Sequence, residues 1–195
     1  MKRMALVWPA LEYLDSYLDA LTRGFAHDNV RGLAATMEEI EAIHKNPQSF
    51  VESLVDPEGK GAPITLPNGM VVKRLPGYRR WMWDGAFAGS IGFRWQPGTA
   101  ELPSYVLGHM GYSVPEWKQG RGYATEALRQ LLPDAKARGL PYVELTTDPD
   151  NVASQLVILK NGGVLVEEFN KGPAYHDAPG LRYRIYLRND TRTTG

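Results

Sequence analysis

The feature that most constrains the fold is a pair of glycines placed immediately before a strong helical segment. Gly120 and Gly122 flank one arginine, and residues 123–132, YATEALRQLL, follow with helix-forming side chains. Glycine weakens a helix, so its presence at the first turn indicates a place where the backbone must come close to another group. We therefore expect this segment to contact a ligand through its main chain.

The elements on either side of the glycines predict where that ligand lies. Residues 105–114, YVLGHMGYSV, predict a strand, which Pro115 ends because proline brings no donor to a sheet ladder. The glycines thus join a strand end to the N-terminus of a helix that ends at Gly139. Unpaired N–H groups and the positive end of the helix dipole make such a junction a site for anions.

The remaining pattern predicts an α/β fold with a mixed central sheet and helices on both faces. Helices are predicted over residues 9–25, from Thr36 onward, and over 152–161. Loops are predicted at 56–69 and 170–180, and a two-residue hairpin turn at Asp84-Gly85. Further strands are predicted at residues 78–83, 86–95, 141–147, 164–169 and 181–188. We expect one domain spanning residues 1–195.

Composition excludes several classes of function. Basic and acidic residues number 22 each, which gives no charge-based reason to expect a nucleic-acid or membrane partner. The chain has no cysteine, and its four histidines are widely spaced, so a metal site is not expected. The N-terminal residues carry neither a signal peptide nor a membrane anchor pattern, and we expect a cytoplasmic protein.

Two interpretations of the glycine pair remain open, a simple turn and a phosphate cradle. The dinucleotide fingerprint G-x-G-x-x-G does not fit, because Thr125 occupies the third glycine position. The nucleotide P-loop does not fit either, because no Gly-Lys-Ser/Thr follows. A cradle of another kind is therefore the alternative to a plain turn.

The residues around the glycines resemble the GCN5-related N-acetyltransferases, the GNAT superfamily. QGRGYA, residues 119–124, is similar to motif A of that family, Q/R-x-x-G-x-G/A, whose amides hold the pyrophosphate of coenzyme A. GHMGYSV before Pro115 resembles the strand whose splayed end opens a slot for the pantetheine arm, and DPDNVASQLVILKNGG resembles the following cofactor-contacting helix. The resemblance covers roughly residues 78–187, and residues 1–55 supply helices of the expected kind. It points to a branch of predicted bacterial acetyltransferases.

The resemblance implies a GNAT-like fold, acetyl-CoA as cosubstrate without a metal, and a defined set of cofactor-binding residues. These are Ser113, Val114, Gln119, Gly120, Arg121, Gly122, Tyr123, Ala124, Thr125, Asn151, Ser154 and Lys160. The acceptor would be a primary amine of a small molecule or peptide, and the protein a monomer or homodimer. The alternatives are a non-catalytic protein that binds coenzyme A or an amine, and a phosphate- or nucleotide-binding module.

The catalytic groups are less completely matched. The Val114 N–H is the candidate donor to the oxyanion. Many relatives use a tyrosine as general acid where this chain has Ile158, and some use a glutamate where it has Thr146. His109 is a candidate base acting through water, with a histidine packed on the sheet as the alternative. Tyr175 and His176 are further candidates to reach over the site.

Arginines and tryptophans offer hypotheses about the acceptor. Four arginines on predicted strands are candidates to recognise a carboxylate, with solvated strand faces as the alternative: Arg79, Arg80, Arg182 and Arg184. Four tryptophans are candidates for an aromatic acceptor pocket, with core packing as the alternative: Trp81, Trp83, Trp95 and Trp117.

Overall fold

The computed structural model of the chain describes residues 4–28, 31–66 and 68–187. Its helices are α1 (Leu11–Thr22), α2 (Leu33–Lys45), α3 (Pro47–Ser53), α4 (Tyr123–Ala137) and α5 (Val152–Lys160). The strands of its N-terminal half are β1 (Ala5–Val7), β2 (Val55–Asp56), β3 (Ile64–Thr65), β4 (Val71–Val72), β5 (Gly77–Trp83) and β6 (Phe87–Arg94). The later strands are β7 (Met110–Ser113), β8 (Tyr142–Thr147), β9 (Val164–Asn170) and β10 (Pro179–Tyr186).

The strands form two sheets that meet at one point. The first has the order β1-β5-β6-β7, with β2 also pairing to β5, and the second has the order β8-β10-β9. β3 and β4 form a separate hairpin. β7 is the edge of the first sheet and β8 the edge of the second, and the connection between them passes through α4.

Helices cover both faces of the first sheet, as the sequence predicts. α1, α2 and α3 pack around Trp81 and Phe87 on one face. α4 covers the other face, where Ala127, Leu128 and Leu131 are fully buried with side chains of β6 and β8, and α5 packs against α4 and β8. Burial of each large apolar side chain contributes about 1.5–3 kcal/mol, so these two clusters fix the sheet between the helical layers.

The alternation of β7 assigns its side chains to these two faces. Met110 is buried in the cluster under α4, and Tyr112 and Val114 pack against the same cluster. Gly111 and Ser113 point to the opposite face, where the Ser113 hydroxyl donates to the carbonyl of Ala26 at 2.9 Å. One strand therefore presents different residues to α4 and to the loop that follows α1.

The two sheets join through the residue that precedes β7. The His109 N–H donates to the Glu144 carbonyl at 2.8 Å, and the Glu144 N–H donates to the His109 ring Nδ1 at 3.0 Å. Beyond this junction, β7 has no strand partner on its β8 side within the described residues. The open edge creates the slot that the proline at the strand end predicts.

Several predicted boundaries are corrected. The strand predicted over 105–114 is confined to Met110–Ser113, because residues 105–108 cross β8 so closely that a Cβ on Gly108 would lie 2.9 Å from the Glu144 carbonyl oxygen. The turn after Trp83 has three residues, since Trp83 pairs with Phe87 across a register shift.

Smaller differences affect elements far from the slot. The predicted loop 56–69 contains β3, and α2 begins at Leu33 instead of residue 36. The expected central sheet is divided in two at the His109 junction. The final strand is confirmed over Pro179–Tyr186, and residue 188 lies outside the described residues.

Candidate functional site

The glycine segment forms a tight connection between two helices. A 3-10 helix, Glu116–Lys118, precedes it, and α4 begins at Tyr123. Gly120 has a φ of +73° and Gly122 a φ of +76°, a left-handed conformation that costs other residues about 1–2 kcal/mol. The two glycines are therefore required by the backbone, as the sequence pattern indicates.

Six consecutive backbone amides at this connection have no acceptor among the residues that the structure describes. They belong to Gly120, Arg121, Gly122, Tyr123, Ala124 and Thr125, and the next amide, that of Glu126, already donates to the Gly122 carbonyl at 3.0 Å. A Cβ built on Gly120 or Gly122 would meet nothing within 4 Å, so the space beside both glycines is open. Free N–H groups at the positive end of a helix dipole form an anion site.

Asp84 braces this site from a neighbouring turn. Its carboxylate accepts from the Lys118 ammonium at 2.9 and 2.8 Å and from the Tyr123 hydroxyl at 2.8 Å. Burial raises the pKa of Asp84, but the bonds from Lys118 and Tyr123 outweigh it, so the pKa lies below its usual value. Sequence patterns assign Asp84 only to a turn, because its partners lie 34 and 39 residues away.

A second contact ties the first turn of α4 to the end of α5. The Asn161 amide donates to the Thr125 carbonyl at 3.1 Å and to the Val157 carbonyl at 2.9 Å. Lys160, a predicted cofactor residue, is exposed in the last turn of α5. The two predicted cofactor segments are thus brought together at this end of α5.

Val114 lies at the edge of the slot with its amide free. Its N–H has no acceptor in the described part of the chain, while its carbonyl accepts from the Gln119 side chain at 3.1 Å. Gln119 therefore fixes the strand end to the glycine segment. The free amide has the chemistry that an oxyanion donor requires.

A cleft of about 290 Å³ opens beside Val114. Among the described residues that line this cleft, only Glu116 has a carboxylate, and its side chain is exposed. The Arg23 guanidinium lies 3.9 Å from the centre of the Trp117 ring on the same wall. The complete lining is Arg23, Gly24, Phe25, Ala26, Ser113, Val114, Pro115, Glu116 and Trp117.

The start of α5 faces β7 across the slot. Asn151 caps the helix by accepting from the Ser154 N–H at 3.0 Å. The Tyr112 and Ser154 hydroxyls share a hydrogen bond of 2.8 Å, and burial raises the pKa of Tyr112 to about 12. Tyr112 is a site residue that sequence patterns assign only to a strand.

His109 lies in the core at the junction of the sheets. It is 0% exposed, and its Nδ1 accepts the Glu144 N–H. Burial lowers the pKa of His109 to about 4, although the charge of Glu144 raises it in part. This placement favours the packed histidine over the base acting through water.

The other candidate catalytic positions lie outside the cleft beside Val114. Ile158 is 1% exposed in the core beneath α4, and Thr146 donates its hydroxyl to the Leu107 carbonyl. Tyr175 donates to the Tyr105 carbonyl at 2.9 Å, and His176 is exposed. None of these side chains lines the cleft beside Val114.

The predicted arginines and tryptophans do not form an acceptor pocket. Each of the four arginines has a partner: Glu39 for Arg79, the Leu6 carbonyl for Arg80, Glu167 for Arg182 and Glu144 for Arg184. Trp81 is buried against Tyr17, and the Arg138 guanidinium stacks on Trp95, 3.5 Å from the centre of the ring. Trp117 alone of the four tryptophans lines the cleft.

Metal and membrane sites are not found in the described ranges. No group of three or more His, Cys, Asp or Glu side chains there is placed to hold a metal ion. No helix in the described part of the chain has the length and hydrophobicity that a membrane span requires.

Comparison with known proteins assigns the chain to a family. The model of the acetyltransferase (GNAT) domain matches residues 68–164, which include β5 to β8 and the free amides. The chain belongs to the GNAT superfamily. As a GNAT protein it is an acyltransferase enzyme, and the matched residues include the glycine segment described above.

Solved structures share the GNAT fold at low identity. RimL, a ribosomal-protein alpha-N-acetyltransferase solved with coenzyme A, is 13% identical with a TM-score of 0.62, over 96% of each chain. The microcin C7 self-immunity acetyltransferase MccE, solved with acetyl-CoA and AMP, is 16% identical with a TM-score of 0.56, over 96% of this chain and 94% of that one. A putative ribosomal-protein-serine acetyltransferase from Vibrio cholerae is 14% identical with a TM-score of 0.59, over 96% and 95%. No curated protein matches the chain significantly.

Proposed function

We propose that this GNAT enzyme transfers an acetyl group from acetyl-CoA to a primary amine of a small molecule or peptide. The observation that carries the proposal is the row of six free amides, Gly120 to Thr125, beside the open edge of β7. Acetyl-CoA or coenzyme A is present in the solved MccE and RimL structures, which have the same fold.

The residues of the chain fit the parts of coenzyme A. The free amides of residues 120–125 would bind the pyrophosphate. The space that it needs is open, because a Cβ built on Gly120 or Gly122 would meet nothing within 4 Å. Ser113 and Val114 would contact the pantetheine arm along the open edge of β7. Asn151, Ser154 and Lys160 on α5 would contact it from the opposite side of the slot. Acetyl-CoA, when bound, supplies the acetyl thioester.

Catalysis would rest on one donor and on the basicity of the acceptor. The Val114 N–H would donate to the thioester oxygen as negative charge develops there. The thiolate that leaves has a pKa of about 8.5 and needs little help from an acid near neutral pH. The buried Ile158 is therefore compatible with turnover.

The acceptor must lose a proton before it attacks, which favours amines of low pKa. A lysine-like amine of pKa ~10.4 is deprotonated at pH 7 at a cost of ~4.6 kcal/mol, while an α-amine near ~8 costs only ~1.4 kcal/mol. Glu116, on the cleft wall beside Val114, would attract the ammonium form and accept its proton. We therefore favour α-amines over lysine side chains.

The sequence left two alternatives open, a protein that binds coenzyme A without turnover and a phosphate- or nucleotide-binding module. His109 and Ile158 lie in the core, so Glu116 is the one carboxylate that lines the cleft within the described ranges. The experiment below separates all three.

The deciding assay measures the free thiol released from acetyl-CoA with a panel of α-amino peptides, lysine side-chain amines and small amines. We expect release with α-amines and a fall of at least tenfold in kcat/KM for Glu116→Gln, with an unchanged KM for acetyl-CoA. Binding of coenzyme A without release under any acceptor would support the non-catalytic protein. Thermal stabilisation by a nucleotide but not by coenzyme A would support the nucleotide module.

We also propose that residues 1–195 form a single acetyltransferase domain. In support, α1 to α3 share one buried cluster with Trp81 of β5 and Phe87 of β6, which lie within the motif-bearing part at residues 78–187.

A further inference from the structure

Arg94, at the end of β6, has a guanidinium whose charge is not paired with a carboxylate in the described part of the chain. Within the described residues no carboxylate lies at ion-pair distance from its guanidinium, which makes one long hydrogen bond, of 3.4 Å, to the Gly108 carbonyl. Arg79 on the neighbouring strand, by contrast, donates to Glu39 at 2.8 Å. Arg94 therefore has donors available for a ligand.

The guanidinium lies over a part of the sheet that has no side chains. Gly92 of β6 and Gly111 of β7 are directly opposite each other, and a Cβ on them would lie 3.7 and 4.0 Å from the Arg94 Nη2. Gly111 is exposed. Because neither glycine fills the space, a ligand can approach both the guanidinium and the backbone beneath it.

This position lies on the same face of β7 as the cleft beside Val114. Gly111 and Ser113 share one face of β7, and Ser113 bonds the loop after α1 that also lines the cleft. Val114 is three residues from Gly111, a distance of roughly 10 Å at about 3.3 Å per residue. The guanidinium and the oxyanion donor are thus separated by a length that one acceptor molecule can span.

The surroundings of Arg94 suit a single negative charge. The side chain is exposed, yet the protein around it lowers its pKa through desolvation, while Tyr175 and Asp28 favour the charged form. The charge of Asp28, which acts on Arg94, would repel a dianion such as phosphate more strongly than a carboxylate.

We propose that Arg94 determines specificity by binding a carboxylate of the acceptor, so that the substrate is an amine carrying a carboxylate roughly 10 Å from its nitrogen. This inference rests on the proposed acetyl transfer. The ammonium group lies toward Glu116 at Val114, and the carboxylate lies over Gly92 and Gly111. An extended peptide N-terminus with an acidic residue at its second or third position has this arrangement.

The test compares acceptor pairs that differ only in a carboxylate and its carboxamide. The wild-type enzyme is expected to prefer the carboxylate by about 10- to 100-fold in kcat/KM, the range for a lost hydrogen bond to a charged group. Arg94→Gln should abolish the preference and leave the KM for acetyl-CoA and the rate on the carboxamide within twofold. Arg94→Lys should retain part of the preference, and Arg129→Gln, an exposed arginine paired with Glu126 on α4, controls for the loss of one charge.

Four results separate failure of this inference from failure of acetyl transfer. Equal kcat/KM for both acceptors in the wild type, or a preference that survives in Arg94→Gln, would overturn the role of Arg94 while transfer stands. A preference for a phosphorylated acceptor over the carboxylate would overturn the assigned anion. Where no acceptor releases thiol, the same carboxylate and carboxamide acceptors are titrated into the protein with coenzyme A bound, and their affinities are measured by calorimetry. Equal affinity of wild type and Arg94→Gln for the carboxylate acceptor would then overturn the role of Arg94.

Discussion

The pH dependence of stability provides a direct test of the position assigned to His109. Its buried ring holds a pKa of about 4, compared with 6.5 in an unfolded chain. A histidine with a lowered pKa stabilises the fold above pH 6.5, where both states are neutral. As the pH falls toward 4, only the unfolded chain takes up the proton, and this contribution is lost.

The magnitude follows from the difference in pKa. A difference of about 2.5 units corresponds to ~3 kcal/mol, and each such histidine gives a slope of ~1.4 kcal/mol per pH unit between the two pKa values. Burial and the charge of Arg79 lower the pKa of His27 to about 4 as well. The two residues together predict a slope of ~2.7 kcal/mol per pH unit in the wild type.

The variant His109→Asn removes the titration while its side-chain oxygen can still accept the Glu144 N–H. We expect the slope of the unfolding free energy between about pH 5 and 6.5 to fall to ~1.4 kcal/mol per pH unit, measured by urea denaturation at each pH. His27→Asn should reduce the slope by the same amount. Acetyl transfer by His109→Asn should stay within a few-fold of wild type near neutral pH.

Two outcomes would refute this reasoning. An unchanged slope in His109→Asn would mean that the ring titrates normally and is not held neutral at the junction of the sheets. If catalytic efficiency instead fell by roughly two to four orders of magnitude with unchanged stability, His109 would have the signature of a general base.

Two further predictions concern the anion site. Asp84→Asn keeps the shape of the side chain but leaves the Lys118 ammonium, 16% exposed, beside a neutral amide. We expect a loss of ~1.5–3 kcal/mol in unfolding free energy and weaker binding of coenzyme A. Unchanged affinity for coenzyme A, measured by calorimetry, would contradict the role of Asp84 in bracing the site. Gly122→Ala and Gly139→Ala are matched, with φ of +76° and +78° and no atom within 4 Å of the new Cβ. Both should lose ~1–2 kcal/mol of stability, but only Gly122→Ala should weaken coenzyme A binding, by tenfold or more; equal affinities would contradict the site.

The sequence predicts the parts of the site that depend on neighbouring residues. The glycine pair, the proline that ends β7 and the Asn151 cap each act within a few positions of the chain, and each lies where the pattern places it. The resemblance of QGRGYA to motif A predicts the family, which the domain match confirms.

Contacts between distant residues account for what the sequence does not predict. Asp84 and Tyr112 act through partners 34 to 42 residues away, so local patterns assign them only to a turn and a strand. Arg94 resembles the four other strand arginines in sequence. Only the structure shows that three of those four pair with carboxylates and that Arg80 donates to the Leu6 carbonyl. It also shows that two glycines on adjacent strands lie beside the Arg94 guanidinium.

The proposed function depends most directly on the backbone amides of residues 120–125 and their hold on the pyrophosphate of acetyl-CoA. Amide hydrogen exchange measures those groups directly, because amides without an acceptor exchange rapidly in the free protein. We predict rapid exchange at residues 120–125 in the free protein and strong protection when coenzyme A is added, which Gly122→Ala should diminish. Saturating coenzyme A that leaves exchange of these six amides unchanged, or protects a different segment, would contradict this role.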